Sequence, residues 1–318
     1  MKKQFLKIIS LITAALLIAS LTSCETADTI DTETADVTFT DALGRSVSIN
    51  KNPRRVAALL GSFADVWVLS GGELCAAPSD AQEDFGIDLS GITNVGGAHS
   101  PNAEMLIASA PELVLASAST ASHVSLMQTL TSAGITVAYF DVDNFYDYLE
   151  MLDICTTLTE RRDLYEIHGL LVKEKIELIK ENYKKEVLDT DKNRVLLLRA
   201  ASSFIKAKGS TGTVLGEMLA DLGCQNIADS DKTVLDNLSI EAIIKEPPYR
   251  IFAVTMGNDE EAARATLDKT LKENTAWQTL EAVKEERVYV LDKALFNLKP
   301  NERWAEAYEI LYEKLTEE

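Results

Sequence analysis

The sequence predicts an α/β fold of two similar lobes, each with a central, mainly parallel sheet flanked by helices. Residues 100–116 and 237–253 align without a gap, and each segment reads as a polar cap, a glutamate, a short apolar helix, a proline and a buried strand. A basic residue and an apolar strand precede each segment at nearly equal distances, at residues 55–60 and 194–198. Two similar lobes predict a cleft between them, and small ligands favour such clefts.

One long interdomain helix is predicted between the lobes, over residues 159–188. Its apolar residues recur at three- and four-residue spacing, with Lys and Glu on the other faces. The expected apolar stripe comprises Leu164, Ile167, His168, Leu171, Val172, Ile176, Ile179 and Tyr183. Such a helix spans about 40 Å and acts as a rigid connector. On this stripe, His168 is expected to pack rather than to bind a ligand.

The N-terminal lobe is predicted to span residues 37–158. Its elements are two short strands joined by a turn at 40–45, a buried strand at 55–60, a helix at 63–69, a strand at 73–78, the unit at 100–116 and a strand at 134–140. Strand and helix alternate after the first two strands, and this order is typical of a parallel sheet with helices on both faces.

The C-terminal lobe, predicted over residues 189–318, repeats this order. Its elements are a strand at 194–198, a glycine-bearing loop at 208–212, a helix at 214–221, the unit at 237–253, a strand at 287–291 and a terminal helix from Arg303 onward. The repetition supports a second α/β lobe rather than an unrelated domain.

The first 23 residues read as a lipoprotein signal peptide. Two lysines precede an apolar stretch at 5–21 that is too short for a comfortable membrane span. Leu-Thr-Ser-Cys at 21–24 resembles the lipobox of bacterial lipoproteins, which makes Cys24 the expected lipidation site. Residues 24–36 are acidic and threonine-rich and predict a disordered tether. The folded part is therefore expected outside the cytoplasm, held at the cell membrane by the lipidated cysteine.

The charge balance excludes some partners. The formal net charge is −19, and removal of the three lysines of the signal lowers it to −22. Such an acidic surface repels nucleic acid and anionic lipid, so membrane contact through the lipid anchor alone is expected. The remaining cysteines, Cys75, Cys155 and Cys224, are odd in number and lack CxxC spacing, which favours small buried residues over a metal cluster or a disulfide.

A series of motifs resembles the Fe/B12-type substrate-binding proteins of ABC importers, the rigid-helix class that carries ferric siderophores, haem and cobalamin. The motifs are TDALGR at 40–45, PRRV at 53–56, VGG at 95–97, PNAE at 101–104, PELVL at 111–115, GCQNIA at 223–228, SIE at 239–241, Trp277, AVK at 282–284 and RVY at 287–289. The chain departs from the family at Cys224, where a second glycine is frequent, and at Tyr249, where an aspartate often follows the proline.

The resemblance implies a monomeric carrier that binds its cargo in the interlobe cleft, without a cofactor, and delivers it to an ABC permease dimer with a cytoplasmic ATPase. In the family, one exposed glutamate on each lobe docks into the permease, and the motif match assigns this role to Glu104 and Glu241. Both lie in the first turn of a predicted helix, where the helix dipole stabilises a carboxylate. The alternative to docking is that each glutamate only caps its own helix.

Ligand contacts are expected from loops at the carboxyl ends of the strands, where open α/β sheets place their sites. The candidates are Ser62, Phe63, His99, Ser100 and Ser117 in the first lobe, and Arg199, Phe204, Lys206, Met256, Phe296, Lys299, Arg303 and Trp304 in the second. Residues 192–216 hold five basic residues and no acid, which is unusual in so acidic a chain.

Three of these cations, Arg199, Lys299 and Arg303, are expected to form a wall suited to a carboxylate- or catecholate-bearing iron chelate. The rings of Phe204, Phe296 and Trp304 are available to pack on flat parts of the ligand. A ferric siderophore is therefore the expected cargo.

Several alternatives remain open. His99 and Met256 lie on loops of opposite lobes and suit the axial positions of a haem iron, and cobalamin is a further possibility. A secreted enzyme is disfavoured because no GxSxG, HExxH or Walker motif occurs. The three histidines are too dispersed for a zinc or manganese carrier. A surface receptor of the same fold, without a role in transport, is a further alternative.

Overall fold

A computed structural model describes residues 36–186, 191–257 and 259–317. Residues 36–318 form one compact unit. The predicted signal peptide, most of the tether and Cys24 lie outside the described residues. Within the described ranges, no helix combines the length and the apolar character that a bilayer-spanning segment needs.

Strands and helices alternate along much of the described chain. The strands are β1 (Asp36–Thr40), β2 (Ser46–Asn50), β3 (Val56–Ala58), β4 (Leu74–Ala77), β5 (Thr93–Asn94), β6 (Gly96–Gly97), β7 (Ser100–Pro101), β8 (Leu113–Ser117), β9 (Thr136–Phe140), β10 (Arg194–Ala200), β11 (Ile205–Lys208), β12 (Gln225–Asn226), β13 (Arg250–Thr255) and β14 (Val288–Leu291). The α-helices are α1 (Gly61–Leu69), α2 (Asp80–Glu83), α3 (Ala103–Ala108), α4 (Ala121–Ser125), α5 (Met127–Ser132), α6 (Phe145–Leu158), α7 (Arg162–Tyr165), α8 (Leu171–Glu186), α9 (Val214–Asp221), α10 (Ile227–Ser230), α11 (Lys232–Asn237), α12 (Ile240–Lys245), α13 (Glu260–Asp268), α14 (Glu281–Lys284), α15 (Lys293–Phe296) and α16 (Trp304–Thr316). Short 3-10 turns lie at Asp191–Asn193, Trp277–Thr279 and Asn301–Arg303, and π turns at Glu166–Leu170 and Lys269–Glu273.

The N-terminal lobe is built on a five-stranded sheet in the order β5-β4-β3-β8-β9. All its neighbouring strands are parallel. The central strands are apolar along their whole length, and every residue of β8 is buried, as expected for a sheet covered on both faces. The antiparallel hairpin of β1 and β2 precedes this sheet, as the turn at 40–45 predicts.

The C-terminal lobe has a second five-stranded sheet, in which β11, β10, β13 and β14 are consecutive neighbours and β12 also pairs with β10. Its pairs are parallel except for the hairpin of β10 and β11. The two sheets with their flanking helices confirm the predicted fold class.

The connector differs from a single regular α-helix. It comprises α7, the π turn Glu166–Leu170 and α8, and Gly169, Val172, Ile176 and Tyr183 are its buried positions. A π turn holds one more residue than an α turn, so it rotates the following face of the helix. The expected burial of Ile167 and Leu171 is therefore wrong, because both are exposed.

The core is continuous across the two lobes. Phe145 in α6 packs edge-on against Trp304 in α16, with ring centroids 6.2 Å apart. Tyr183 in α8 packs against Tyr312 in α16 at 6.5 Å. The terminal helix therefore joins the connector and both lobes, and this shared core opposes a wide opening of the lobes. The cysteines of the described residues, Cys75, Cys155 and Cys224, are free thiols.

Candidate functional site

A salt bridge joins the two lobes beside a pocket that residues of both lobes line. Lys293 follows β14 in the C-terminal lobe, and its Nζ lies 3.0 Å from Oδ1 of Asp84, which follows β4 in the N-terminal lobe. Parallel strands bring their carboxyl ends to one edge of a sheet, and open α/β sheets bind ligands at that edge. The loops after β3, β8, β10 and β13 are therefore the walls of the candidate site.

A group of three cations, here called the basic cluster, lies on one face of the hairpin of β10 and β11. Arg199 is the register partner of Lys206, and Lys208 is the partner of Leu197, two residues before Arg199. Residues opposite each other in an antiparallel pair share a face, as do residues two apart along a strand. The three basic side chains therefore project from the same side of the sheet.

The basic cluster has no ion pair among the residues that the structure describes. The Nε of Arg199 is buried and has no hydrogen-bond partner there. Burial lowers the pKa of Arg199. Burial also lowers the pKa of Lys208, and the positive charges of Arg199 and Lys206 lower it further. Cations that repel each other in a partly buried position stabilise a bound anion.

The expected wall of Arg199, Lys299 and Arg303 is corrected in one respect: Lys299 and Arg303 line a pocket between the lobes, but each faces a carboxylate. The Nζ of Lys299 lies 3.8 Å from Oδ1 of Asp143 in the N-terminal lobe. Arg303 makes two hydrogen bonds of 2.7 Å with Glu306 in the next helical turn. Since both cations already face a carboxylate, their charges are partly balanced, and their contact with a ligand stays a prediction.

Both residues belong to a segment here called the interlobe strap, residues 292–303, which crosses from the C-terminal to the N-terminal lobe. The Nδ2 of Asn301 donates to the Ser62 carbonyl at 2.9 Å and to Asp65 Oδ2 at 2.7 Å. Glu302 lies 2.7 Å from Nδ1 of His168 on the connector. Burial raises the pKa of Asp65, and the hydrogen bond from Asn301 partly opposes this rise. The strap therefore ties the two lobes together, and its residues line a pocket between them.

The expected aromatic wall is also corrected. Phe63 and Phe296 are 1% exposed and Trp304 is fully buried. Phe63 packs edge-on against Phe140, and Trp304 against Phe145, so these rings form the interlobe core instead of lining a cleft. Phe204 is 43% exposed, and the Nζ of Lys206 lies 5.5 Å from the centre of its ring. Of the proposed aromatic contacts, Phe204 alone accompanies the basic cluster.

The proposed polar contacts of the N-terminal lobe differ in their exposure. His99 and Ser100 are exposed on the hairpin of β6 and β7. Ser62 and Ser117 are buried, and the Ser117 hydroxyl lies 3.0 Å from that of Ser119. The exposed hairpin is therefore the part of this wall that is open to solvent, and its contact with a ligand stays a prediction.

Met256 directly follows β13 in the opposite lobe and is partly buried. Among the described residues, no three His, Cys, Asp or Glu side chains are arranged to hold a metal ion. The pair of His99 and Met256 as axial haem ligands stays a prediction.

Sequence reasoning missed His123, the buried histidine of helix α4. Its Nδ1 accepts a hydrogen bond of 3.1 Å from the Ser117 backbone N–H, and its Nε2 lies 2.6 Å from the Ala98 carbonyl oxygen. Its side chain thereby joins two loops of the cleft wall. The only signal in the sequence is one histidine in a short polar stretch, which does not reveal a buried position.

Glu104 and Glu241 occupy matching positions in the two lobes. Each is exposed in the first turn of a short helix that leads to a buried strand, α3 before β8 and α12 before β13. The N-caps are Asn102, which accepts from the Glu104 and Met105 N–H groups, and Ser239, which accepts from the Ala242 N–H. Because other residues cap both helices, neither carboxylate is needed as the cap.

A family model described as "Periplasmic binding protein" matches residues 56–295. The match covers most of the chain, and the chain belongs to this family. It is accordingly a binding protein and not an enzyme, and the family resemblance read from its motifs is confirmed.

Relatives in Bacillus subtilis (strain 168) agree with this class. The chain is 26% identical over 270 residues to the uncharacterized ABC transporter substrate-binding lipoprotein YvrC, covering 83% of this chain and 81% of the relative. It is 27% identical over 252 residues to the Fe(3+)-citrate-binding protein YfmC, covering 77% of this chain and 75% of the relative. Among solved structures, Staphylococcus aureus SirA complexed with staphyloferrin B has a TM-score of 0.69 at 22% identity, covering 89% of this chain and 99% of that one. This structural match supports the two-lobed fold.

Proposed function

We propose that the protein is a lipid-anchored, extracytoplasmic substrate-binding protein that captures an anionic ferric chelate in the interlobe cleft and delivers it to an ABC importer. Ferric complexes of carboxylate-rich chelators are the substrate class that this proposal favours. Cys24 is the proposed anchor, and the permease dimer with its ATPase is the proposed partner.

The basic cluster carries the proposal. Arg199, Lys206 and Lys208 lie at the cleft edge of the second sheet without an ion pair among the described residues, in a chain of formal net charge −19. An acidic protein repels a free anionic chelate at long range, so capture requires a local cationic site. The planar guanidinium of Arg199 matches a carboxylate in two parallel hydrogen bonds, and the two ammonium groups add charge around it.

The relatives support the same substrate class. YfmC is named as a Fe(3+)-citrate-binding protein, and the SirA structure contains staphyloferrin B. YvrC is named as an ABC transporter substrate-binding lipoprotein, in agreement with the lipobox at 21–24 and with an importer as the partner. Each name describes the relative, and its extension to this chain rests on the basic cluster.

Delivery is proposed to depend on Glu104 and Glu241. Both carboxylates are exposed in the first turn of matching helices, one on each lobe. A permease that presents one basic pocket to each lobe would therefore contact the two glutamates. The shared interlobe core keeps the spacing between the glutamates nearly constant, so a rigid protein suits two simultaneous contacts.

Uptake of radioactive ferric citrate tests this proposal. We expect Glu104→Ala/Glu241→Ala to reduce uptake by at least about tenfold while the purified variant binds ferric citrate as before, because avidity is lost when either contact fails. Glu217→Ala/Glu260→Ala, which removes two glutamates outside this pair, is the matched control and should transport normally. Unchanged uptake in the first variant would contradict the docking role, and loss of binding would place the glutamates in the ligand site instead.

A further inference from the structure

His123 links two separate loops of the N-terminal cleft wall. It is fully buried, and its ring lies between the Ser117 N–H, at the end of β8, and the Ala98 carbonyl, in the turn between β6 and β7. That turn continues into the exposed His99 and Ser100, which are proposed ligand contacts. The side chain therefore connects the last residue of a core strand to the loop that meets the ligand.

The two hydrogen bonds define one tautomer of the ring. A carbonyl oxygen can only accept, so the Nε2 of His123 carries the proton that it donates to Ala98. A backbone N–H can only donate, so Nδ1 presents its lone pair to Ser117. The neutral Nε2–H tautomer satisfies both partners. The imidazolium ion cannot, because its Nδ1–H would face the Ser117 N–H.

Backbone hydrogen bonds attach the base of the hairpin of β6 and β7, from the Val95 N–H to the Ala77 carbonyl at 3.0 Å and from the Asn102 N–H to the Val95 carbonyl at 2.6 Å, whereas His123 holds its turn. Each strand has two residues, and Gly96 has a φ of +96°, which permits the tight path of the chain. The other backbone contacts of its glycines include the bond from the Ser79 N–H to the Gly96 carbonyl at 2.9 Å. Because a hairpin of this size has little packing of its own, the buried bond to His123 contributes strongly to its position.

We propose that His123 is a positioning residue for the ligand site, holding the 96–101 hairpin in its binding geometry as a neutral tautomer and releasing the hairpin when the ring is protonated. This inference rests on the proposed cargo-binding function. It makes capture of the cargo dependent on pH through a residue that does not touch the cargo.

The surroundings of His123 favour the neutral ring. Burial lowers its pKa below the usual value of 6.5, the nearby charge of His99 lowers it further, and the Ala98 carbonyl partly opposes both effects. Tyr139 of β9 is the other titratable group at this position, and its hydroxyl donates to the His123 carbonyl at 2.9 Å. Among the described residues, no carboxylate is close enough to the His123 ring to stabilise the imidazolium ion.

The sign of the pH effect follows from this shift. The unfolded chain takes up a proton near pH 6.5, whereas the folded chain does so at a lower pH. The stability that neutral His123 contributes is therefore complete above pH 6.5 and is lost as the pH falls toward the lowered pKa of the folded state. The hairpin should loosen in the same interval.

Two measurements on the unmodified protein test the inference without any ligand. Nitrogen-15 NMR of histidine-labelled protein at pH 7.5 should show the Nε2–H tautomer for His123. Hydrogen exchange of residues 96–101 should accelerate by at least about tenfold between pH 7.5 and pH 5, after correction for intrinsic exchange, while core strand β8 stays protected. An Nδ1–H tautomer, or a hairpin whose corrected exchange is independent of pH, would overturn the inference.

Substitution of His123 tests whether the position of the hairpin affects ligand binding. We expect His123→Gln to weaken ferric citrate binding by about tenfold at pH 7.5 and to flatten its pH dependence, because the amide reaches only one of the two partners. Ser125→Ala, at an exposed position of the same helix as His123, is the matched control and should leave the exchange of residues 96–101 and the binding unchanged. Normal exchange and normal binding in His123→Gln would contradict the positioning role. If the unmodified protein binds no ferric citrate, the proposed substrate is wrong, and the tautomer and exchange measurements still decide the role of His123.

Discussion

The basic cluster and the interlobe strap are both cationic parts of the C-terminal lobe, yet their charges are used differently. In the strap, Lys293 faces Asp84 at 3.0 Å and Lys299 faces Asp143 at 3.8 Å. In the basic cluster, Arg199 and its neighbours face no carboxylate among the described residues. Cations with internal partners hold the lobes together, whereas cations without them are available to an external anion.

This difference matters because burying a cation without a partner costs free energy. An unpaired, partly buried arginine reduces the stability of the folded protein unless a ligand supplies the missing charge. This cost arises at Arg199, because burial lowers the pKa of its guanidinium group and its Nε has no hydrogen-bond partner among the described residues. Strain of this kind is typical of binding sites, because ligand binding relieves it.

The largest expected effect comes from neutralising the basic cluster. Arg199→Gln/Lys206→Gln/Lys208→Gln should weaken ferric citrate binding by at least about 100-fold, since each charged hydrogen bond is worth roughly 10- to 100-fold in affinity. Isothermal titration calorimetry measures this loss. Lys51→Gln/Lys314→Gln, which removes two cations that pair with carboxylates outside the candidate site, is the control and should change the affinity by less than about threefold.

An intermediate effect is expected when the strap loses its buried amide. Asn301→Ala should lower the free energy of unfolding by about 1–3 kcal/mol, because it leaves the buried Asp65 carboxylate without a donor. Asn301 has a φ of +51°, so Asn301→Gly serves as a control that removes the same hydrogen bonds while relieving backbone strain. Urea unfolding measures both variants. An unchanged unfolding midpoint in Asn301→Ala would show that the strap does not hold the lobes.

The smallest effect concerns the pH dependence of stability. The pKa of Asp65 is raised by burial, so the folded state takes up its proton at a higher pH than the unfolded state. This group therefore makes stability increase as the pH falls from the raised pKa of the folded state toward the ordinary value of 3.8. Asp65→Asn should flatten that part of the stability curve and alter stability at pH 7 by less than about 1 kcal/mol, since an amide still pairs with Asn301. A curve unchanged in the variant would contradict this assignment.

Much of the architecture could be predicted from the sequence because its cues are local. Alternating strands and helices, glycine stops and the repeated unit of each lobe specify two parallel sheets, and the run of five basic residues at 192–216 points to β10 and β11. The place of Glu104 and Glu241 in the first turn of a helix follows from the same spacing, whereas their exposure was implied by the family resemblance. These features depend on spacing along the chain.

The remaining features depend on contacts between distant segments. The pairing of Lys299 with Asp143 spans more than 150 residues, and the burial of Trp304 depends on Phe145 in the other lobe. The π turn at Glu166–Leu170 shifts Ile167 to the surface, although the apolar spacing predicts a regular helix. The role of His123 arises from two backbone groups, and no side-chain pattern encodes them.

The most direct test of the central claim is the charge preference of the binding site. The purified protein is titrated in a calorimeter with anionic ferric citrate and with a cationic ferric hydroxamate complex at equal ionic strength, and the two affinities are compared. The unpaired cations predict saturable binding of ferric citrate with an affinity at least about 100-fold higher than that of the cationic complex. Equal or tighter binding of the cationic complex would contradict the assignment of the basic cluster as the ligand site.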